Sequence, residues 1–197
     1  MFDECPIKVA QQLLGCLLYR RTREGLCVGR IVETEAYLAM DDSAAHSFTG
    51  INRKNASMFG PAGRAYVYTI HARQCFNVVT EQCGIGSAVL IRAVQPVRGL
   101  ELMQRRRGTD RIRDLCRGPA RLCEAFDIGR DFDGWNLSRR RRLWIEAAGS
   151  AEERNVMRTA RIGVTSAEEL PLRFCLSGSE FISGSRRQNR PYGQPSS

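Results

Sequence analysis

The strongest constraint in this 197-residue chain is a single arginine set inside an apolar run, Val89-Leu90-Ile91-Arg92-Ala93-Val94. The composition of residues 87–94 reads as a buried strand. A guanidinium in such a strand is costly to bury unless it is ion-paired and hydrogen-bonded. The run therefore needs a carboxylate beside it. Residues 26–38 supply a strand in which a period of two puts Glu33, Glu35 and Tyr37 on one face and Val32, Thr34 and Ala36 on the other. Glu35 is the expected partner of Arg92, which pins together two strands far apart in sequence.

The remaining elements follow from pattern. Residues 6–14 carry Val9, Ala10, Leu13 and Leu14 at helical spacing, with Gly15 as a stop. Strands are expected over 16–21, over 65–70 with Tyr66 and Tyr68 on one side, and over 172–176; helices are expected over 99–107 and 118–126. Residues 39–63 dissolve into Asp, Ser, Gly, Asn and Pro and carry His46 and Arg53-Lys54-Asn55, a loop length that is usually functional or disordered. Residues 137–147 mix four consecutive arginines, Arg139 to Arg142, with Leu143, Trp144 and Ile145. At 43% apolar, the chain supports one core. The reading is α+β: one domain over residues 1–183, a curved and largely antiparallel sheet flanked by helices, then a polar tail over 184–197 expected to be disordered.

Net charge is +9, which favours a polyanionic partner: DNA, RNA or an anionic membrane. No apolar run is long enough to cross a bilayer, and the N-terminus lacks a basic-then-apolar signal pattern, so a cytoplasmic or nucleoid-associated protein is expected, nuclear if eukaryotic. The eight cysteines never form Cys-x-x-Cys, and Cys16, Cys27, Cys75 and Cys175 stand singly in apolar segments, as buried free thiols do. Cys116 and Cys123 lack a second ligand pair, and His46 and His71 are far apart, so no metal is expected. Of the 30 basic residues only Lys8 and Lys54 are lysines, which leaves little basis for imine chemistry.

The string Arg30-Ile31-Val32-Glu33-Thr34-Glu35-Ala36-Tyr37-Leu38, with Asp41-Asp42-Ser43-Ala44-Ala45-His46-Ser47, Met58-Phe59-Gly60-Pro61-Ala62-Gly63 and Tyr66-Val67-Tyr68, resembles the alkyladenine (3-methyladenine) DNA glycosylases. The resemblance continues through Leu90-Ile91-Arg92-Ala93, Leu115-Cys116-Arg117-Gly118-Pro119, Arg161-Ile162-Gly163-Val164 and Pro171-Leu172-Arg173-Phe174. It implies the same single compact domain and a monofunctional enzyme of base excision repair. Such an enzyme turns a damaged purine out of double-stranded DNA and hydrolyses its N-glycosidic bond with an activated water. A monomer with no external cofactor is implied.

By that resemblance Glu35 is the general base, Arg92 helps hold the attacking water, and the backbone carbonyl of Leu176 is a third contact. Tyr37, His46 and Tyr68 form the stacking slot, and Asn77 crowds the exocyclic amino group of guanine. Arg53, Lys54 and Asn55 meet the DNA backbone. His71 stands where the family has a wedging tyrosine, in a stretch one residue shorter than the usual pattern and lacking its glycine. Glu33 is expected to be structural, and Asp41 and Asp42 to brace the loop. Two other classes remain: a non-catalytic nucleic-acid-binding module, and a glycoside hydrolase using Glu33 and Glu35. The second fits poorly, because two carboxylates on one strand face cannot flank a bond.

Overall fold

The structure is a computed structural model that describes residues 1–147 and 155–193. Eight strands and three α-helices are present among them: α1 (Pro6–Leu13), β1 (Leu17–Arg21), β2 (Leu26–Tyr37), β3 (Ala65–Ile70), β4 (Arg73–Val79), β5 (Ala88–Arg98), α2 (Leu100–Arg107), α3 (Pro119–Phe126), β6 (Leu143–Glu146), β7 (Val156–Thr159) and β8 (Arg173–Leu176). All strand pairs are antiparallel, in the order β3-β4-β5-β2-β1-β6. β8 joins the free edge of the second half of β2 and carries β7 outside it. This is the expected α+β domain with a curved sheet.

The curl nearly closes. The Ala65 amide donates to the Trp135 carbonyl at 2.8 Å and the Leu137 amide to Gly63 at 3.0 Å, so the segment before β6 lines the outer edge of β3. The Ile145 amide then donates to Leu137 at 3.1 Å, and β6 returns to β1. An otherwise open edge is thereby covered, which removes a site for unwanted pairing.

The main core lies between one sheet face and the helices. Val9, Ala10 and Leu13 of α1 and Leu122, Cys123, Ala125 and Phe126 of α3 pack with Ile31, Phe76, Val78, Val89 and Ile91. α1 is tied to β2 by the Thr34 hydroxyl, which donates to the Ala10 carbonyl at 2.9 Å. At Gly29 a Cβ would stand 2.7 Å from Val94, so only glycine lets β2 and β5 approach there. The opposite face carries a small cluster of Met58, Tyr66, Val79 and Ala88 beneath residues 38–64, and the functional side chains gather on this face.

Three strands, β4, β6 and β7, escaped the sequence reading, β6 because the four arginines before it mask its short apolar run. β4 opens with Arg73 and Gln74 and has Asn77 between Phe76 and Val78, so it lacks the apolar run of its neighbours; the hairpin to β3 creates it. β7 is four residues, of which only Thr159 is buried, paired with β8 alone. β5 also runs on to Arg98, past the expected end at 94, because β2 continues to pair with it as far as Val28. In the segment expected as a disordered tail, Gln188 and Asn189 accept hydrogen bonds from the buried Arg173 guanidinium, and the Tyr192 amide donates to Arg158. Its last four residues, 194–197, lie outside the described residues.

Candidate active site

Paired bulges aim the central charges. Between β2 and β5, Ile31 faces Val94, Glu33 faces Ala93 and Thr34 faces Ile91, so Val32 and Arg92 each lack an opposite residue. Bulges redirect side chains, often beside functional sites. The Arg92 guanidinium, 7% exposed, lies between both carboxylates of β2. Its Nε donates to Glu33 Oε1 and its Nη1 to Glu35 Oε2, each at 3.1 Å. Burial pulls this guanidinium down, but the Glu35 and Glu33 charges outweigh that effect and leave its pKa above the ordinary value. The expected Glu35 partner is present, with Glu33 as a second.

Glu33 is locked from every side. Oε1 accepts from Arg173 Nε at 2.7 Å and from the Ser183 hydroxyl at 2.8 Å, in addition to Arg92; Oε2 accepts from the Ser183 amide at 2.5 Å. Burial raises its carboxyl, but Arg173 and Arg92, with Ser183, bring it below the ordinary range. These contacts agree with a structural role.

Glu35 is held differently. Oε1 accepts from the Ile162 amide at 2.8 Å, and Oε2 accepts from both Arg92 and the Tyr37 hydroxyl, the latter at 3.0 Å. Arg92 Nη1 also donates to the Ile162 carbonyl at 3.2 Å, so one peptide residue touches both charges. The residue carried over for the backbone contact, Leu176, is not brought there. On β8 it is Arg173 that faces Glu35, and Leu176 lies three positions along, its carbonyl accepting from Ser179. The backbone at this point is that of Ile162.

Tyr37 connects the charges to a cavity of about 220 Å³, lined by Tyr37, His46, Met58, Tyr66, Tyr68 and residues 163–166 among others. That volume falls below the range of about 300–1,000 Å³ for drug-sized ligands and suits one heterocycle. His46 meets Tyr68 edge-on with ring centroids 4.4 Å apart, and its Nδ1 is hydrogen-bonded to the Tyr66 hydroxyl at 2.8 Å. Burial lowers the His46 pKa and raises those of Tyr37, Tyr66 and Tyr68, so the wall is uncharged near neutral pH. Tyr66 is both a buried member of the small core cluster and part of the cavity lining.

The wall is braced by a pair that the sequence did not reveal. The Arg161 guanidinium lies 4.8 Å from the Tyr37 ring centroid and pairs bidentately with Asp42, both contacts 2.7 Å and both side chains fully buried. Asp42 also accepts from the Leu38 and Ala44 amides, which fixes the start of the loop bearing His46, as its expected bracing role requires.

Asn77 shares a cross-strand row with Tyr66 and, through Leu90, with Glu35. It does not line the cavity: it is 3% exposed, and its Nδ2 donates to the Tyr66 carbonyl at 2.9 Å. Asn55, carried over as a DNA contact, is buried in the loop. Its amide is used inside the loop, donating to His46 and Gly50 and accepting from Asn52, because the turn needs those bonds. Arg53 and Lys54 are exposed beside it. His71 and Ala72 form the two-residue turn between β3 and β4 with φ of 47° and 61°, left-handed at both positions as tight hairpins demand, and His71 is exposed at the tip. No group of three His, Cys, Asp or Glu able to hold a metal is found among the described residues.

Comparison with known proteins agrees with this geometry. The family model for methylpurine-DNA glycosylase matches residues 1–180. A protein of Methanoculleus marisnigri is 47% identical over 186 residues, covering 92% of this chain and 95% of its own length. One of Rhodopirellula baltica is 47% identical over 195 residues, covering 96% and 83%. One of Granulibacter bethesdensis is 51% identical over 183 residues, covering 91% and 83%. All three carry the provisional name 3-methyladenine DNA glycosylase. With a family match over most of its length, and a buried arginine–carboxylate pair hydrogen-bonded to a tyrosine of a ring-lined cavity, this chain belongs to the methylpurine-DNA glycosylase family.

Proposed function

We infer that this chain excises damaged purines from double-stranded DNA, with Glu35 activating the water that displaces the base. One observation carries the reading: the Glu35 carboxylate is bonded to the hydroxyl of a tyrosine whose own side chain lines the cavity. A purine held there, flipped from the duplex, stacks between Tyr37 on one wall and His46 and Tyr68 on the other; each base–aromatic contact is worth roughly 1–3 kcal/mol, enough to offset an extrusion cost of a few. As the base enters, the Tyr37 hydroxyl gives up its place on Oε2 to water. Arg92 and the Ile162 carbonyl then hold that water, and the ionised Glu35 takes its proton as the glycosidic bond breaks. Asn77 fixes the backbone at Tyr66 and, through that ring, the room for an exocyclic amino group. Cationic N3- or N7-alkylated purines leave readily, so for them the site mainly places water and rejects normal bases. Arg53 and Lys54 meet phosphate, and the turn bearing His71 enters the duplex.

The test is a gel assay with duplexes carrying single 3-methyladenine, 7-methylguanine, hypoxanthine or ethenoadenine sites, using the wild-type chain and Glu35→Gln. Excision by the wild type and its loss in the variant, with lesion binding kept, is the expected result. Binding without excision by the wild type would leave only a nucleic-acid-binding module. Borohydride trapping should yield no protein–DNA adduct, since no imine forms.

A further inference from the structure

The cavity lies at one end of the curled sheet, and an arginine-rich surface lies at the other. β2 starts beside Arg21, its partner being Leu26, and ends at Tyr37 on the cavity wall. Eleven residue steps at about 3.3 Å place the two ends on the order of 30 Å apart. β3 agrees: it rises from Gly63, beside Leu137, to the His71 turn, so the turn formed by Arg139 to Arg142 lies at the end away from the cavity mouth. The Arg21 amide donates to the Arg142 carbonyl at 2.9 Å, which joins that turn to the β1–β2 turn.

Seven arginines meet there, and three have carboxylate partners: Arg20 with Asp127, Arg140 with Glu146 and Arg142 with Asp131. Arg21, Arg23, Arg139 and Arg141 have no ion pair among the described residues. Arg21 lies 5.5 Å from the Trp144 ring and Arg142 lies 4.8 Å from the Phe132 ring, so these side chains rest on aromatic faces. Four unneutralised guanidiniums on a rigid aromatic-backed end are unlike the Arg105 to Arg107 helix, where Arg105 and Arg106 meet Glu24 and Arg107 meets Glu124.

We propose that this end is a second phosphate-binding face that takes a separate segment of duplex DNA while the cavity end engages the first. A duplex lying across the cavity mouth is too stiff to bend around the domain to the far side, so the two faces hold different segments. Such a chain passes between segments without release. The proposal rests on DNA being the substrate, as inferred above.

The experiment mixes the full chain with two undamaged 20-base-pair duplexes, one biotinylated and one fluorescent, and measures fluorescence retained on streptavidin. The wild type should bridge them at low salt, and bridging should fall steeply with salt, since four phosphate contacts give a slope of about −3.6 in log K against log salt. The quadruple variant Arg21→Gln, Arg23→Gln, Arg139→Gln, Arg141→Gln should lose bridging at least tenfold while excising a lesion from a short duplex within threefold of the wild type. Lysine at the same four positions should restore it. No bridging by the wild type, or bridging kept by the glutamine variant, overturns the proposal, the latter pointing to association between copies. Excision falling in step with bridging also overturns it, by placing these arginines in the substrate contact. Bridging that behaves as expected without excision by the wild type upholds the second face and removes the catalytic reading instead.

Discussion

Glu33 and Glu35 sit two residues apart on one strand and share one arginine, yet they have opposite surroundings. Glu33 accepts from two guanidiniums and from both the amide and hydroxyl of Ser183, none of which lines the cavity. Glu35 has three donors, one of which is the hydroxyl of a cavity-lining ring. Equal burial therefore does not mean equal role. A carboxylate whose donors are all fixed parts of the fold is a structural tie; one with a donor that an incoming ligand can move is available for chemistry.

The sharpest way to break this contrast is to neutralise each carboxylate in turn. Glu35→Gln should lower single-turnover excision by roughly 10²–10⁴-fold, the usual contribution of a general base, with little change in melting temperature. Glu33→Ala should do the reverse: removing one partner from a buried ion pair costs about 3–5 kcal/mol, on the order of 10 °C in a domain of this size, with excision by the remaining folded protein reduced far less. Differential scanning calorimetry beside the gel assay separates the two, and equal effects on both readouts would erase the distinction.

Tyr37 sharpens it further. Tyr37→Ala removes the stacking ring and should reduce excision about tenfold or more, whereas Tyr37→Phe keeps the ring, frees Oε2 and should stay within threefold. A collapse in the phenylalanine variant would show that the hydroxyl, rather than water in its place, is needed. The smallest effect is on acid stability. The folded-state pKa of Glu33 is depressed, so its contribution is full above the ordinary value of 4.5 and is lost as pH falls through the lower folded value. Denaturant titrations between pH 6 and 3 should show a shallower loss of stability in Glu33→Gln than in the wild type.

Much of this arrangement was legible because it rests on charges in improbable places. Arg92 in an apolar run demanded a carboxylate, and the alternation in residues 33–37 supplied one beside an aromatic ring. The places where the structure differs from expectation have a common physical source. Ile162 acts through its peptide group, so its side chain carries no signal, and Leu176 was placed without knowing the β2–β8 register. Asn55 looked like a surface amide in a polar loop, but loops with few regular bonds use such side chains to satisfy their own backbone. Arg161 and Asp42, 119 positions apart, gave no local hint of their pairing.

The closing stretch of the chain carries one last implication. All five N–H groups of Arg173 are engaged, and three of the acceptors, the Ser183 and Gln188 carbonyls and the Asn189 side chain, come from the last residue of the expected domain and from the polar tail after it. Trimming the protein just ahead of Ser183 would strip the lid from a cation at its heart and slacken, at one remove, the grip on Arg92. The stretch from Ser183 to Asn189 is thus a fastener.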